Sequence, residues 1–350
     1  MEALNVGGRL IGPGQIPYFI AEIGSNHNGD MSLARKLIDA AADAGADAVK
    51  FQSWSKHSLI SRAEYDRNTS YADTYRHFGS LEEMVEKYQL TPAQHVEIAT
   101  YCAEKGVLFL STPFSMDEVD LLIDVGAPLF KIASMDVNNL PLLEYVGSKG
   151  KPVLLSTGMS TLGEIETAIA TLRGAGSGSI GILHCISIYP PKYEDINLRN
   201  IKMLQRVFDV PVGFSDHSQG TAIPLAAVAL GACVIEKHFT LDHELPGWDH
   251  WVSADQGEMQ TIVSEGRNIF RALGSEMRMV STDEMAKRLA FRRCAVAASA
   301  LLAGHVLTQR DLDFKRPGGG IDPSERKYLI GRVLKCDLAE DEILKWEHLV

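Results

Sequence analysis

The chain reads as an α/β protein, a (β/α)8 TIM barrel followed by a small C-terminal module. Three observations lead there. From residue 18 onward, short β-branched and aromatic runs alternate with longer amphipathic segments rich in alanine and leucine. That is the pattern of strands followed by helices in a parallel sheet. Eight such units fill roughly 270 residues, close to the size of such a barrel. Beyond Gly274 the rhythm stops, and short apolar runs separated by turn residues replace it.

The strands are expected at Tyr18–Ile23, Ala48–Gln52, Val107–Ser111, Leu129–Ala133, Val153–Ser156, Ile180–Cys185, Val212–Phe214 and Cys233–Lys237. The first helix would be capped by Asp30 or Ser32 and stop at Gly45; Thr91-Pro92 is a good cap and first-turn pair for another. Further helices are expected near 116–125, 141–148, 162–173, 198–207, 222–231 and 254–273. An open doubly wound sheet is the main competitor. It would usually carry a Gly-rich phosphate loop after its first strand, and Gly24-Ser25-Asn26-His27-Asn28-Gly29 fits no such motif. The domains are therefore expected at 1–274 and 290–350, with a linker at 275–289.

The net charge of −11 and the lack of a basic tail argue against a nucleic-acid binder. The five cysteines form no C-x-x-C pair, an odd and low count that suits a reducing cytoplasm better than a disulfide framework. No apolar run is long enough to span a bilayer, and the N-terminus lacks the features of a signal peptide.

In a barrel the carboxyl ends of the strands share one pocket. The polar residues at those ends are Glu22; Lys50 and Gln52; Ser111 and Thr112; Lys131, Ser134 and Asp136; Ser156 and Thr157; His184, Ser187 and Tyr189; Ser215, Asp216 and His217; Glu236, Lys237 and His238. A packed core has no need of polar groups at all eight ends. Lys50 and Lys131, on opposite sides of the mouth, with Ser134, Ser156 and Ser215 nearby, suggest an anion site for a phosphate plus a carboxylate. A Schiff-base lysine is the rival role. His217 and His238 come from neighbouring strands, and with carboxylates close by they form a divalent-metal pair suited to Mn²⁺, Co²⁺, Fe²⁺ or Zn²⁺. His184 is read as structural. Asp249, in LPGWDHW, lies either in a loop that closes over substrate or in a turn with a packing tryptophan.

These motifs resemble a known family. AEIGSNHNGD, GADAVKFQ, STPF, FKIAS, LSTGM, LHC-x-S-x-YP, GFSDH, ALGACVIEKHFTLD and PGWDH are together similar to the bacterial sialic acid synthases and their relatives for legionaminic and pseudaminic acids. KRPGGGI followed by LIGRVL resembles the antifreeze-like (SAF) domain of that family. The resemblance implies a homodimeric, cytoplasmic enzyme that condenses phosphoenolpyruvate with an N-acetylmannosamine-type aldehyde. It implies a divalent metal, with Mn²⁺ expected and Mg²⁺ or Co²⁺ as alternatives, on His217 and His238. It implies Lys50, Thr112, Lys131, Ser134, Ser156, Ser187 and Ser215 as phosphoenolpyruvate contacts, with Glu22 beside the metal. Gln52, Asp136, Tyr189, Asp249 and Arg316 would face the acceptor, Arg316 reaching into the partner subunit's barrel. Glu22, Lys50, Lys131, His217 and His238 would carry the catalysis.

Asp136 stands where glutamate is usual, Ser187 where asparagine is often found and Trp248 where proline is common. Those departures imply a retained reaction on an altered acceptor, such as a diacetamido-dideoxy hexose. Two other readings remain: a different metal-dependent barrel aldolase, which leaves the C-terminal module unexplained, and a non-catalytic carbohydrate-binding protein, which would have no use for the metal and anion residues.

Overall fold

The alternating runs become eight parallel strands in the computed structural model, which describes residues 3–72 and 77–350. The strands are β1 (Tyr18–Gly24), β2 (Ala48–Ser53), β3 (Leu108–Pro113), β4 (Phe130–Ile132), β5 (Val153–Ser156), β6 (Ile180–Cys185), β7 (Val212–Asp216) and β8 (Val234–His238). Their hydrogen-bonded order is β3-β2-β1-β8-β7-β6-β5-β4. Neighbours in the chain are thus neighbours in the sheet, and β8 pairs with β1 from Val234↔Tyr18 to His238↔Glu22. The ends of this order, β3 and β4, pack side by side and nearly close the ring. The expected strands all form, with boundaries shifted by at most two residues.

Two helix starts illustrate the local chemistry. Asp30, rather than Ser32, is the N-cap of the helix Met31–Asp43, accepting from the Ser32 amide at 2.7 Å. Thr91 caps Pro92–Lys105 in a reciprocal box with Gln94. Such a box satisfies backbone donors that the first turn leaves orphaned.

Successive strand residues face opposite ways, and the two faces meet different partners. Phe19, Ala21, Val49, Phe51, Phe109, Ile132, Leu155, Ile182, Phe214 and Ile235 pack in the layer that contains the helices' apolar faces. The other parity faces the barrel axis. Its lower positions, Ile20, Ala48, Leu110, Leu129, Leu154, Leu183 and Val234, form a separate apolar cluster. Two residues further along, the same faces carry Glu22, Lys50, Thr112, Lys131, Ser156, Cys185 and Glu236.

An N-terminal hairpin that the sequence analysis missed plugs the lower end. Leu4–Val6 pairs antiparallel with Arg9–Ile11, and Leu4, Val6 and Ile11 join the lower cluster. Gly7 and Gly8 make the turn with φ of 58° and 87°, the left-handed conformations that a two-residue hairpin loop demands. The signal was present: Gly-Gly flanked by LNV and RLI is a hairpin pattern. Arg9 then pairs with Asp47, which also accepts from the Phe19 amide at 2.8 Å and from Arg267 at 3.1 Å.

The chain divides into two compact units, 1–274 and 275–350. Part of the stretch expected as linker is a helix, Thr282–Phe291, none of whose residues is buried. In the C-terminal unit Cys294–Ala297 pairs antiparallel with Leu312–Lys315, around a core that includes Ala295, Leu301, Leu307, Ile321, Leu329, Leu334 and Leu344.

Candidate active site at the carboxyl ends of the strands

The inward parity of the strands builds a cavity of about 270 Å³. Its lining includes Glu22, Lys50, Gln52, Thr112, Lys131, Ser134, Ser156, Ser187, Tyr189, Ser215, His217 and His238, all singled out from sequence as site residues. Cys185 and Glu236 belong to the lining too, and the sequence analysis gave them no role. Parity was the available signal for Glu236, because it lies two residues before His238 on the same strand face.

At the cavity's centre lies a cage of opposite charges. Lys50 Nζ is 2.7 Å from Glu22 Oε2 and 3.9 Å from Glu236 Oε2, and donates to Thr112 Oγ1 at 3.2 Å. Lys131 Nζ is 3.3 Å from Glu236 Oε1, which also accepts from Ser215 Oγ at 3.0 Å. The two lysines are therefore not isolated on opposite walls, as expected; one carboxylate bridges them. All four charged groups are nearly sealed from solvent. Burial pushes Glu22 up to about 7 and outweighs the Lys50 ammonium beside it. Lys50 is held above its ordinary value, because Glu22 and Glu236 overcome the effect of burial. Burial lowers Lys131, with Glu236 opposing. Glu236 is held low despite burial, by Lys131 and Lys50.

Several buried polar atoms around the cage have no hydrogen-bond partner among the described residues: Glu22 Oε1, Glu236 Oε2 and Ser156 Oγ. Buried polar groups are rarely left so, and a polar guest would complete them. Gly158 keeps the mouth open at Ser187 and Ser134. A Cβ there would stand 2.3 Å from Ser187 Oγ and 2.9 Å from Ser134 Oγ.

The two histidines meet at one edge, with ring centroids 5.4 Å apart. His217 Nδ1–H donates to the Ile186 carbonyl at 2.8 Å, which leaves its Nε2 lone pair as the available donor atom. The Tyr189 ring stacks on His217 at 4.0 Å. His238 Nδ1 is buried without a hydrogen bond, and the Asp249 carboxylate is 3.8 Å away. Burial, then His217, hold His238 well below its ordinary value and so neutral. Burial lowers His217, but Cys185 and the Ile186 carbonyl outweigh it and hold the ring above its ordinary value. A neutral His238, a His217 ring oriented through Nδ1 and a nearby carboxylate are a donor set that a divalent ion takes by displacing the His217 proton, so these residues fit a metal. Among the described residues, one three-ligand cluster lies elsewhere, His243, Asp255 and Glu258. It sits at a helix start, where Asp255 and Glu258 already cap each other.

The opposite parity explains the remaining polar strand ends. Ser111 and Ser53 share a hydrogen bond at 2.6 Å, and Ser53 meets His95 Nε2 at 2.7 Å, inside the layer between strands and helices. His184 donates to the Ile196 carbonyl at 2.6 Å, a structural bond. Lys237 pairs with Asp216 at 2.7 Å, tying β8 to β7 beneath the two histidines. Thr157 donates to the Leu183 carbonyl at 2.9 Å.

Three candidates, Asp136, Arg316 and Asp249, are not part of the polar cavity's lining. Asp136 is in a short 3₁₀ turn, where Oδ1 accepts from Asn139 at 3.2 Å. Arg316 belongs to the C-terminal unit, with its guanidinium 5.4 Å from the Phe291 ring centroid. Asp249 and Trp248 line a second cavity next to the first.

Fold and site together define a class: a (β/α)8 barrel whose strand ends hold an anion-sized polar cage beside a pair of imidazoles. Comparison with known proteins then places the chain within it. The chain belongs to the NeuB family, whose model matches residues 37–278, and a SAF domain matches residues 292–350. It is 40% identical to the N,N'-diacetyllegionaminic acid synthase of Campylobacter jejuni, over 93% of this chain and 98% of that one. It is 34% identical to the human N-acetylneuraminate-9-phosphate synthase, over 97% and 94%. Among solved structures it is similar to the N-acetylneuraminic acid synthetase of Leptospira borgpetersenii, with a TM-score of 0.72, 35% identity and coverage of 82% and 95%.

Proposed function

We propose that the protein condenses phosphoenolpyruvate with an amino-sugar aldehyde to form a nonulosonic acid and inorganic phosphate. The observation that carries this reading is the cage of Lys50, Lys131, Glu22 and Glu236 with its unsatisfied oxygens, set directly beside His217 and His238. Relatives that are synthases of this kind, at 40% and 34% identity over nearly the whole chain, support it.

In the reaction, C3 of phosphoenolpyruvate attacks the aldehyde carbon and a C–C bond forms. Water oxygen then adds at the cationic C2, and the C–O bond to phosphate breaks to release phosphate. Lys50 and Lys131 supply point charge to the phosphate and carboxylate of the substrate, and Thr112, Ser134, Ser156 and Ser215 supply directed bonds. Preorganised groups of this kind act most strongly where water is excluded, and both ammonium groups are buried. Glu22, pushed up toward neutrality, holds or releases a proton at its carboxyl as the charge in the cage changes. A divalent ion on His217 and His238, with Mn²⁺ as the expected ion and Mg²⁺ or Co²⁺ as alternatives, would polarise the aldehyde oxygen as a Lewis acid.

Gln52, Tyr189 and Asp249 face the acceptor in this reading, and Arg316 of a second copy would complete the pocket in a domain-swapped homodimer. The protein would work in the cytoplasm, where its cysteines, all free, stay reduced. No helix of the described residues is long and apolar enough to cross a membrane. A second reading, the same chemistry on a diacetamido-dideoxy hexose, is favoured by the identity to the Campylobacter jejuni enzyme. Mass spectrometry of the products from phosphoenolpyruvate, Mn²⁺ and each candidate aldehyde tests both. A three-carbon extension of the sugar is expected, and its absence with every aldehyde would overturn the reaction.

A further inference from the structure

Two motifs singled out in the sequence, AEIGSNHNGD and PGWDH, meet outside the polar cavity, and the reaction proposed above leaves most of their residues without a role. The first runs into the loop after β1, and the second lies in the loop after β8. The β8 loop leaves at His238 and returns beside it. Ala254 N–H donates to the His238 carbonyl at 2.7 Å, and Thr240 N–H to the Ala254 carbonyl at 2.9 Å. Asp249 rides on this excursion, with its carboxylate 3.8 Å from His238 Nδ1. Two asparagines of the β1 loop hold the excursion down. The Asn26 amide donates to the Phe239 carbonyl and to Ser253 Oγ, both at 2.9 Å, and Ser253 Oγ donates to the Asp249 backbone carbonyl at 2.7 Å. The Asn28 amide donates to the Pro246 carbonyl at 2.7 Å, and its Oδ1 accepts from His250 Nε2–H at 3.3 Å. Gly247 lets the two loops close, because a Cβ there would stand 2.3 Å from the His250 ring and 2.8 Å from Asn28 Oδ1. Asn28 itself has a φ of 54°, a left-handed conformation that asparagine tolerates.

Resting on the metal-assisted condensation proposed above, we infer that Asn26 and Asn28 are positioning residues. They latch the β8 loop so that Asp249 stays against His238 and orients that imidazole for the divalent ion. A ligating histidine ordinarily gives its other ring N–H to a carboxylate or carbonyl, which fixes the tautomer and raises the basicity of the ligand nitrogen. For His217 that partner is the Ile186 carbonyl. His238 Nδ1 is buried with no hydrogen bond among the described residues, and Asp249 is the carboxylate that faces it. The bridge to Ala254 fixes the two ends of the excursion, whereas the asparagine bonds fix its middle at Pro246 and its return at Ser253. Neither asparagine lines the polar cavity or the one beside it, so each acts through the loop and touches neither substrate.

The test is a titration of Mn²⁺ into the purified, metal-free protein without substrates, followed by electron paramagnetic resonance, with circular dichroism to check that each variant is folded. Asn28→Gly keeps the left-handed turn and removes both side-chain bonds, and is expected to weaken Mn²⁺ binding about 10-fold. Asn26→Asp, of the same shape but without the amide donor, should weaken it by a similar factor and gives a second reading. Asp249→Ala should weaken it about 10-fold or more, and adding Asn28→Gly to Asp249→Ala should then cost no more than about a further twofold, because the latch acts through Asp249. Asparagine variants that lose stability in urea but bind Mn²⁺ as the wild type does would overturn the latch while the condensation stands. So would an Asn28→Gly loss of the same size with and without Asp249. A wild type that binds no Mn²⁺ would overturn the metal reading, and the latch with it.

Discussion

The two halves of the barrel interior are built by the same strand faces and do opposite things. At the lower end, Ile20, Ala48, Leu110, Leu154, Leu183 and Val234 meet Leu4, Val6 and Ile11 of the N-terminal hairpin in a dry plug. Two residues along the same strands, Glu22, Lys50, Thr112, Ser156, Cys185 and Glu236 ring a polar cavity. A rise of two residues, about 6.6 Å, separates packing from chemistry. The difference teaches that stability and activity are divided along the barrel axis, so a change at one level leaves the other largely intact.

The sharpest way to break that division is Lys131→Met. It removes one cation from the cage and leaves Glu236 with Lys50 alone at 3.9 Å. A loss of about 1,000-fold or more in kcat/KM for phosphoenolpyruvate is expected, read by phosphate release, with the far-ultraviolet circular dichroism retained. At the lower level Leu110→Ala should do the reverse. Leu110 is fully buried in the plug, so stability should fall by about 2–5 kcal/mol in urea unfolding, while kcat/KM stays within about threefold. Equal damage to activity and stability by either variant would contradict the division.

The loops above the strands add a pH signature. His27 and His250 are both nearly sealed, and each is held down to about 4, His27 chiefly by burial and then by His95 and His250, and His250 by burial with Asp242 opposing. The unfolded chain protonates these rings near pH 6.5, whereas the folded one resists until about 4. Below 6.5 the unfolded state therefore binds more protons, and stability falls as pH drops from about 6.5 to about 4, by up to about 3 kcal/mol for each ring. Urea midpoints across that window in the wild type and in His250→Asn check it, because the variant should show a shallower slope. The smallest effect is expected at the outward-facing level. Ser53→Ala breaks the bonds to His95 and Ser111 and should cost about 1–2 kcal/mol, with kcat/KM within about twofold. A large loss of activity there would mean that the layer between strands and helices also tunes the site.

Much of this organisation was legible in the sequence, because a parallel barrel repeats one simple pattern eight times. The strands β5 and β6 begin and end where the apolar runs do. Motif resemblance named most of the cavity's polar lining. The parity within each strand end was missed. Ser111, Thr157, Asp216 and Lys237 look as functional as their neighbours until the pleat turns them away from the axis, whereas His184 reads as structural and is. Glu236 was passed over for the same reason, although its place between Lys50 and Lys131 makes it the hub of the cage. The hairpin was overlooked because three-residue strands carry little periodic signal. The apolar second cavity was out of reach of any pattern. It forms where three distant segments, around Trp54, Met84 and Trp248, come together, and only the fold brings them there.

The most direct test of the central claim is phosphate released from phosphoenolpyruvate by the purified protein, with Mn²⁺ and an N-acylated amino-sugar aldehyde each omitted in turn. Release that needs both the metal and the sugar, and that Lys131→Met abolishes, is the predicted result. Release that continues without the sugar, or that survives in Lys131→Met, would contradict the assignment of the barrel's polar cavity to this condensation.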